Sequence, residues 1–453
     1  MRADQTISTG AHGIPVRGVR AEVTEGPDAG RIALPMGETL SIGTAPTNTL
    51  VLTDPTVSRF HLDLTRHENG IAVVDHGSTN GTMMQGVRIE RAIVPPRSVV
   101  KLGRTSIRLD DGETVTVEAF DGEQLGGLVG RSPGMRRLMA QIERAAKSET
   151  SILLHGETGT GKEVVARAIH EASDRSKGPL ETVDCGAILP SLIASELFGH
   201  EKGAFTGADQ QHIGAFERAN KGTLFLDEIG ELPSSLQTAL LGALERRSFR
   251  RVGGKQTIAV DVRVICATHR DLRREVNDGT FRQDLFYRLA VIVLSIPPLR
   301  DRADDVPLLV EHFLRESGYD GPTEEVLNES TMAQLRQYRW PGNVRELRNV
   351  VEVARVMGEP PPLSPPAGGE LTAKASANGV NTLDLGDVLG MPYSEARNLI
   401  VDKFESVYID DLLARCRGNV AQAARQAKMN RSYLTRLLKR RGLERDDRDE
   451  RIG

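Results

Sequence analysis

The chain has 453 residues, of which 39% are hydrophobic and 26% charged, and a net charge of −4. These ordinary values predict a globular protein of two to four domains. We also predict a cytoplasmic protein, because no apolar run approaches the roughly 20 residues that span a bilayer and the N-terminus lacks the apolar core of a signal peptide. The three widely spaced cysteines and the ten histidines form no metal-binding pattern, which predicts buried free thiols and no structural metal.

Short runs of alternating apolar and polar residues fill the segment 18–120. Examples are TLVLTD, FHLDLTR and GIAVVDH, and turn signals such as GPDAG, ENG and STNG separate them. Alternation with a period of two indicates strands that bury one face. The segment is therefore predicted to be an all-β sandwich.

Near residue 125 the pattern changes to apolar strands interleaved with helices. Ser132 and Pro133 mark the start of a helix whose apolar residues recur at helical spacing. The strand-like runs that follow are 151–155, 180–184, 222–228, 262–269 and 290–296. This alternation predicts an α/β domain over 125–303 with a mostly parallel sheet, and the strand-free segment 304–357 predicts a helical lid.

The C-terminal part of the chain is strongly basic. The segment 358–390 is rich in proline, glycine, alanine and serine, which predicts a flexible linker. From Leu412 to Arg445, ten basic residues stand against the single acid Glu444, and this local charge of +9 favours a polyanionic partner. Two helical patterns joined by a short turn predict an all-α helix-turn-helix within 392–445.

A glycine loop lies between an apolar strand and a helix in SILLHGETGTGKEVVARAIH, where Gly156, Gly161 and Lys162 fit the pattern GxxxxGK. The backbone N–H groups of such a loop surround nucleotide phosphates, and its lysine reaches the β- and γ-phosphates. Glu163 stands where the general pattern has Ser or Thr for magnesium, so we expect water and a second acidic site to hold that ion. The candidate ATP-binding residues of the loop are Gly156, Glu157, Thr158, Gly159, Thr160, Gly161, Lys162 and Glu163.

The second acidic site is the end of the strand GTLFLDE. Together with the glycine loop, this pattern predicts that Asp227 holds Mg²⁺ through water and phosphates. Glu228 would polarise the attacking water, so the sequence predicts an ATPase.

Five stretches, GETGTGKE, ELFGHEKGAFTGA, GTLFLDEIGELP, FRQDLFYRL and WPGNVREL, resemble the AAA+ domain of bacterial enhancer-binding proteins, the sigma-54-dependent transcriptional activators. The resemblance covers about 127–357. In that family the GAFTGA loop touches sigma-54, and its position depends on the nucleotide state. The alternative is an apolar plug that folds back onto the domain. The implied sigma-54 contacts are Gly203, Ala204, Phe205, Thr206, Gly207 and Ala208.

The resemblance assigns further roles by position. Arg282 and Arg288 match arginine fingers, which reach the γ-phosphate of a neighbouring subunit and imply a hexameric ring; the alternative is that both form salt bridges within the chain. The family also has an apolar edge for adenine, a sensor that is often asparagine, and a lid arginine that senses phosphates; these positions are Val129 with Gly130, His269 and Arg345.

Two departures from the family pattern affect turnover. Asp184 stands where the family often has an asparagine that restrains the catalytic glutamate, and two carboxylates in contact would repel or share a proton. His269 can donate a hydrogen bond like asparagine, but its charge varies near neutral pH. We therefore expect an active ATPase whose basal turnover or nucleotide sensing differs from the family norm.

The N-terminal stretches LSIGTAPTNTLVLTDPTVSRFHLDL and VVDHGSTNGTMMQGVRI resemble a forkhead-associated (FHA) domain over about 20–115. Family members bind phosphothreonine peptides on loops at one end of the sandwich, which implies that Ser58 and Arg59 hold phosphate oxygens and Asn80 fixes the peptide backbone. His61 is interpreted as a buried structural residue. Thr44 replaces a phosphate-binding arginine, a loss of roughly 1.5–3 kcal/mol. The alternative is a docking or autoinhibitory module that needs no phosphate.

The stretch GNVAQAARQAKMNRSYLTRLLKRRGL resembles the Fis-type helix-turn-helix that ends these activators. Early residues of its second helix would read the major groove of double-stranded DNA, and later basic residues would contact phosphates. The alternative is a solvated basic helix or a dimer contact. The implied DNA contacts are Arg431, Ser432, Tyr433, Thr435, Arg436, Lys439 and Arg440.

Together these features predict a sigma-54-dependent transcriptional activator. It would bind upstream DNA, assemble from dimer to hexamer, and use ATP hydrolysis to remodel sigma-54 RNA polymerase for open-complex formation, gated by the FHA domain. No aspartate-rich receiver pattern precedes the ATPase, so we expect input independent of a two-component phosphorelay. The alternatives are a hydrolysis-deficient DNA-binding repressor and an AAA+ remodeller of another client.

Overall fold

The computed structural model describes residues 13–34, 39–67 and 69–363. The chain divides into two compact units, Met1–Ala367 and Gly368–Gly453, and all described residues belong to the first. The predicted helix-turn-helix, its DNA contacts and Cys416 lie outside the described residues, as does the linker beyond Leu363.

The N-terminal part of the structure is a sandwich of two mostly antiparallel sheets. Its strands are β1 Gly13–Glu25, β2 Ile32–Ala33, β3 Thr39–Gly43, β4 Leu50–Val51, β5 Leu62–His67, β6 Gly70–Asp75, β7 Thr82–Met84, β8 Val87–Ile89, β9 Arg91–Val94, β10 Val99–Leu102 and β11 Thr105–Glu118. One sheet has the order β2-β1-β11-β10-β7-β8 and the other β4-β3-β5-β6-β9. The predicted all-β sandwich is confirmed.

The alternating sequence pattern corresponds to burial in these sheets. In β5, Leu62 and Leu64 are fully buried, whereas Asp63 between them is only partly buried. Strand β1 begins at Gly13, earlier than the alternating pattern, because its first residues pair with the end of β11 through backbone hydrogen bonds. Such pairing requires no apolar side chains, so hydropathy does not reveal it.

The central domain is a parallel sheet with helices packed around it. Its strands are β12 Gln124–Leu125, β13 Leu128–Val129, β14 Ile152–His155, β15 Leu180–Asp184, β16 Thr223–Asp227, β17 Ser248–Arg250, β18 Thr257–Ala259, β19 Arg263–Thr268 and β20 Ile292–Ser295. Its helices are α1 Pro133–Ala146, α2 Lys162–Glu171, α3 Pro190–Phe198, α4 Ala215–Arg218, α5 Ser234–Arg246, α6 Leu272–Asp278 and α7 Gln283–Leu289.

The main sheet of this domain has the order β15-β16-β19-β14-β20, and all neighbouring strands are parallel. All six residues of β19 are buried, as expected for a central strand covered on both faces. The predicted parallel α/β sheet is confirmed. The carboxyl ends of β14, β19 and β16 lie side by side at one edge, which is where open α/β sheets bind ligands.

The predicted helix start and the predicted buried thiols of this domain are also present in the structure. The Ser132 hydroxyl accepts a hydrogen bond from the Met135 N–H at 3.4 Å and caps α1, whose first residue is Pro133. Cys185 and Cys266 are buried free thiols, as predicted. Burial raises the pKa of Cys185 to about 12, so this thiol stays protonated at neutral pH.

The predicted helical lid follows the main sheet. Its helices are α8 Val306–Glu316, α9 Thr323–Val326, α10 Glu329–Gln337 and α11 Asn343–Met357. Trp340, which is 1% exposed, lies in the lid core and donates a hydrogen bond from Nε1 to the Leu335 carbonyl at 2.8 Å. Within the described ranges, no helix is both long enough and apolar enough to cross a membrane.

Candidate functional site

The glycine loop connects β14 to α2 at the ligand-binding edge of the sheet. Gly159 and Gly161 have φ angles of +79° and +101°, a left-handed conformation that side chains disfavour. An ideal Cβ on Gly159 would lie 2.3 Å from the Gly342 carbonyl oxygen of the lid. The loop and the lid therefore touch backbone to backbone, and only glycine fits at this position.

Lys162, the first residue of α2, is paired with the candidate catalytic glutamate. Its side chain is 7% exposed, and Nζ donates hydrogen bonds to the Glu228 carboxylate at 3.0 Å and to the Gly156 carbonyl at 3.2 Å. A buried lysine charge is costly unless it is paired. The Glu228 carboxylate compensates this charge within the folded chain.

Glu228 follows β16, and its second carboxylate oxygen is bound by His269 after β19. The distance from His269 Nδ1 to Glu228 Oε2 is 2.7 Å, and the His269 backbone N–H donates to the same oxygen at 3.2 Å. Burial opposes ionisation of Glu228, but the hydrogen bonds from Lys162 and His269 prevail and hold the pKa of Glu228 below its ordinary value. The general-base candidate is therefore ionised and fixed from both sides.

The neighbouring acids are arranged differently. Burial, followed by the charges of Glu228 and Asp184, raises the pKa of Asp227, whose Oδ1 accepts the Glu228 N–H at 3.0 Å. Asp184 caps its own loop, since Oδ1 accepts from the N–H groups of Gly186 and Ala187 at 2.9 and 3.1 Å. Lys162 and His269, rather than Asp184, thus hold the Glu228 carboxylate.

Two residues that sequence reasoning missed contact the glycine loop, one in the lid and one just before it. Asn343 donates from Nδ2 to Glu157 Oε2 at 3.2 Å and to the Thr158 carbonyl at 3.1 Å. Arg300 forms an ion pair with Glu157 at 2.6 Å. Asn343 stands in the quoted stretch WPGNVREL, so its motif pointed to this region, whereas no sequence signal marked Arg300.

The other residues predicted to contact the nucleotide lie in or next to β13, α2 and α11. The backbone N–H of Arg345 donates to the Gly159 carbonyl at 3.2 Å, which places the start of α11 against the loop. Val129 is 8% exposed, and Gly130 is close to Met135, since an ideal Cβ on the glycine would lie 2.8 Å from the Met135 Cβ. Glu163 is exposed on α2 and lies 3.7 Å from Arg167.

The two candidate arginine fingers are exposed at the two ends of α7. Arg282 pairs with Asp284 at 2.7 Å, and Arg288 donates to the Leu244 carbonyl at 3.2 Å. Both contacts, the Arg282 salt bridge and the Arg288 hydrogen bond, lie on the surface. A salt bridge exposed in this way contributes little to stability. The two side chains are therefore held only weakly within the chain.

The GAFTGA loop lies between α3 and α4. Phe205 is 40% exposed, and its ring meets the His200 ring edge-on with centroids 4.9 Å apart. Gly203 and Gly207 have φ angles of +82° and +96°, and an ideal Cβ on either would face open space within the described part of the chain. The Phe205 side chain is thus partly exposed and packs against the His200 ring, which combines features of the predicted tip and of the alternative plug.

The predicted phosphopeptide residues lie on adjoining loops of the sandwich. Ser58 Oγ accepts the Thr79 N–H at 3.0 Å, and Asn80 donates to the Thr56 carbonyl at 2.8 Å. His61 is fully buried and accepts the Ser58 N–H at 3.1 Å, as its structural interpretation requires. An open groove of about 770 Å³ begins at Asn80 and is lined by polar and apolar side chains, including Thr56, Met83, Val99 and Lys101.

Four family models match the chain. The model described as Sigma-54 interaction domain matches 128–295, and AAA+ ATPase lid domain matches 300–365. The model described as Bacterial regulatory protein, Fis family, matches 400–440. Residues 22–113 match the model described as Inner membrane component of T3SS, cytoplasmic domain.

Several known proteins are similar to this chain over more than one of its domains. Transcriptional regulatory protein ZraR of Escherichia coli O157:H7 is 44% identical over 334 residues, which cover 73% of this chain and 71% of the relative. Regulatory protein AtoC of Escherichia coli K12 is 44% identical over 328 residues, with coverages of 71% and 69%. The crystal structure of NtrX from Brucella abortus in complex with ATP matches with a TM-score of 0.51 and 36% sequence identity. The match covers 71% of this chain and 70% of the NtrX chain.

The glycine loop, the acidic end of β16 and the helical lid define an ATP-binding ATPase of the AAA+ class. The chain belongs to the bacterial enhancer-binding proteins, the sigma-54-dependent transcriptional regulators. Its partners include sigma-54 and DNA, and its N-terminal domain is a β-sandwich.

Proposed function

We propose that this regulator activates transcription by moving the Phe205 loop against sigma-54 RNA polymerase and driving open-complex formation. The observation that carries the proposal is the Lys162–Glu228 pair. Lys162 is the residue that meets nucleotide phosphates, and Glu228 is the residue that polarises water. ATP binding is thereby linked to the release of the catalytic base.

The sequence of events follows from these contacts. The phosphates of ATP attract Lys162 away from Glu228 because they carry more charge than one carboxylate. Glu228 then loses one of its two restraints and keeps the other, the His269 side chain at 2.7 Å. The freed Oε1 can accept a proton from a water molecule, which is the general-base step of hydrolysis.

Magnesium fits the acidic edge of this site. Carboxylate oxygens are the ligands that Mg²⁺ prefers, and Asp227 presents such a group at the end of β16, one residue before Glu228. When bound, Mg²⁺ would neutralise the charge of the β- and γ-phosphates. Asp227 would hold it through water and the phosphates themselves.

Homo-oligomerisation, from dimer to hexamer, is the next part of the proposal. Arg282 and Arg288 are exposed at the ends of α7, where a neighbouring subunit can reach them. An arginine that contacts the γ-phosphate from a neighbour raises hydrolysis by about 10³–10⁵. The ring would place one such arginine at each subunit junction.

We also propose a role for the N-terminal domain, a cellular location and bounds for each domain. The FHA sandwich would bind a phosphothreonine protein ligand through Ser58, Arg59 and Asn80 and gate the ATPase, and the protein would act in the cytoplasm. The proposed segments are the FHA domain 18–120, the α/β ATPase 125–303, its lid 304–357, the linker 358–390 and the DNA-binding domain 392–445.

Replacement of Glu228 tests the hydrolysis step. Glu228→Gln removes the base but keeps the shape, so we expect ATP turnover to fall by about 10²-fold or more while ATP binding persists. The exposed residue Glu245 on α5 provides the matched control, Glu245→Gln. A wild-type chain without ATPase activity would support the hydrolysis-deficient repressor instead.

Replacement of Phe205 tests the sigma-54 contact. In Phe205→Ala we expect turnover to stay within about twofold of wild type, while binding of sigma-54 in the presence of a transition-state analogue of ATP is lost. The control is Val356→Ala, which removes an apolar side chain that is 67% exposed on the lid. Unchanged binding of sigma-54 would exclude the loop as the contact surface.

A further inference from the structure

The sandwich is attached to the ATPase domain through Phe60, which is 2% exposed. Its ring meets the rings of Phe286 and Tyr287 on α7 edge-on, with centroids 5.1 and 6.2 Å apart. The Arg273 guanidinium of α6 lies 5.7 Å from the Phe60 ring centre. An aromatic side chain of the sandwich is thus part of the apolar core of the ATPase domain.

Polar contacts from α6 fix the two loops around Phe60. The Asn277 amide donates to the carbonyls of Phe60 at 2.6 Å and His76 at 3.0 Å. His76 lies between two carboxylates, 2.6 Å from Asp271 at the start of α6 and 3.2 Å from Asp63 on β5. These contacts orient the loop 58–61 relative to α6 and α7.

Arg59, the neighbour of Phe60, is held by the first residue of α7. Its guanidinium donates to Gln283 Oε1 at 2.9 Å. The other atom of that amide, Nε2, donates to the Tyr287 hydroxyl at 3.0 Å, so the oxygen is directed at Arg59. Ser58 and Arg59 are also the residues that the FHA resemblance assigns to phosphate oxygens.

The helix that holds Arg59 carries the candidate arginine fingers. Arg282 immediately precedes α7, and Arg288 lies in its last turn. One face of this short helix packs against the sandwich through Phe286 and Tyr287. Both arginines therefore belong to the helix that contacts the sandwich.

We propose that the phosphate of a phosphothreonine ligand and Gln283 of α7 compete for the Arg59 side chain, so that ligand binding loosens the contact between the sandwich and α7. This inference rests on the phosphothreonine binding proposed above. A phosphate carries a charge of about −1.5 to −2 and accepts charge-assisted hydrogen bonds, whereas Gln283 offers a neutral amide oxygen. Arg59 therefore binds the ligand phosphate in preference to Gln283 when both are present.

Competition has a reciprocal consequence for affinity. If the ligand weakens the Arg59–Gln283 contact, then strengthening that contact must weaken ligand binding by the same factor. Gln283→Ala removes the acceptor, whereas Gln283→Glu replaces it with a carboxylate that forms an ion pair with Arg59. The two variants are expected to shift ligand affinity in opposite directions.

The first test measures affinity on the full chain. The probe is a pool of phosphothreonine peptides with randomised flanking residues, compared with the same pool unphosphorylated. We expect the phosphorylated pool to bind roughly tenfold more tightly to Gln283→Ala than to Gln283→Glu, with wild type between them. Gln334 is exposed on the lid helix α10, so Gln334→Ala and Gln334→Glu are the matched controls and should leave affinity unchanged.

The second test measures α7 itself by hydrogen exchange of the amides of residues 281–289. Saturating phosphorylated pool should accelerate this exchange in wild type, and Gln283→Ala should show faster exchange without any peptide. Neither measurement needs ATP or sigma-54, so the outcome is independent of the proposed transcriptional activity. Equal affinity of all Gln283 variants, equal binding of both pools, no binding of the phosphorylated pool, or unchanged exchange would each overturn the proposal.

Discussion

At the scale of single residues, Glu228 is the most constrained group of the site. One oxygen is bound by Lys162, the residue proposed to meet the phosphates, and the other by His269. Glu228 also has a φ angle of +50°, a strained conformation for a side chain of this size. The proposed catalytic base is therefore positioned by its neighbours and by its own backbone.

His269 is the residue through which we expect this positioning to act. His269→Ala removes the Nδ1 contact to Glu228, so turnover should fall roughly tenfold while KM for ATP changes little, because the histidine acts through the base. His269→Asn keeps a side-chain donor and should restore part of the turnover. The measurement is steady-state ATP hydrolysis, with His312→Ala on the lid as the control. A parallel loss of ATP affinity would indicate direct contact with the nucleotide instead.

Sequence patterns located most of these residues but not the contacts between them. GxxxxGK and the acidic strand end identified Lys162, Asp227 and Glu228 because phosphate chemistry demands those residue types at those spacings. The His269–Glu228 contact depends on β19 lying between β14 and β16, and strand order cannot be read from local hydropathy. The cap that Asp184 forms on Gly186 and Ala187 is a local turn typical of aspartate, and it competes with the contact to Glu228 that the family pattern suggests.

At the scale of elements, long periodic segments were predictable and short strands were not. Helix α1 has a clear helical period and the strands of the main sheet are apolar runs, and their positions agree with the sequence. Strands β17 and β18 have three residues each, too few for a period of two to be recognised. Yet this hairpin meets the GAFTGA loop, since an ideal Cβ on Gly253 would lie 2.9 Å from the Ala204 Cβ.

Helix α1 provides a stability prediction at this scale. Arg263, 1% exposed at the start of β19, donates to the carbonyls of Ala146 and Ala145 at 2.8 and 2.7 Å and satisfies the end of the helix. Arg263→Met removes both bonds, so the free energy of unfolding should fall by about 3 kcal/mol. Urea denaturation measures the change, and the 73% exposed Arg144 gives the control Arg144→Met. A loss below about 1 kcal/mol would mean that water replaces the arginine.

At the scale of the described molecule, the sandwich and the ATPase domain are joined by residues far apart in sequence. Asn277 and Phe60 are 217 positions apart, and Asp271 and His76 are 195 apart. Each domain was predictable because its pattern is local. The joint between them was not, because nothing in an exposed-looking loop such as SRFH indicates that its aromatic side chain is buried in another domain.

His76 gives this joint a pH dependence. Burial alone would lower its pKa, but the hydrogen bonds to Asp271 and Asp63 raise it from 6.5 to about 9. A folded-state pKa above the unfolded value means that the contribution is complete below pH 6.5 and is lost as pH rises through about 9. The charged and titratable groups that act on this region are Asp63, His61, Asp271, Arg273 and His155.

We therefore expect the free energy of unfolding to fall by at most about 3 kcal/mol across this window. His76→Gln should show a smaller fall, because glutamine does not titrate. Denaturation at pH 6.5 and at about pH 9.5 measures the difference, with His67→Gln, at the exposed end of β5, as the control. An identical fall in wild type and His76→Gln would assign the pH dependence to other groups.

The ion pair between Lys162 and Glu228 also bears on how products leave. A lysine buried to this degree would become a bare, poorly hydrated cation each time ADP and inorganic phosphate depart, and that cost would slow their departure. Because Glu228 replaces the departing anion, the ammonium group is never left uncompensated. In the proposed mechanism, the carboxylate that acts as the base would thus also ease the exchange of ADP for ATP, and each cycle would end in the arrangement from which the next one begins.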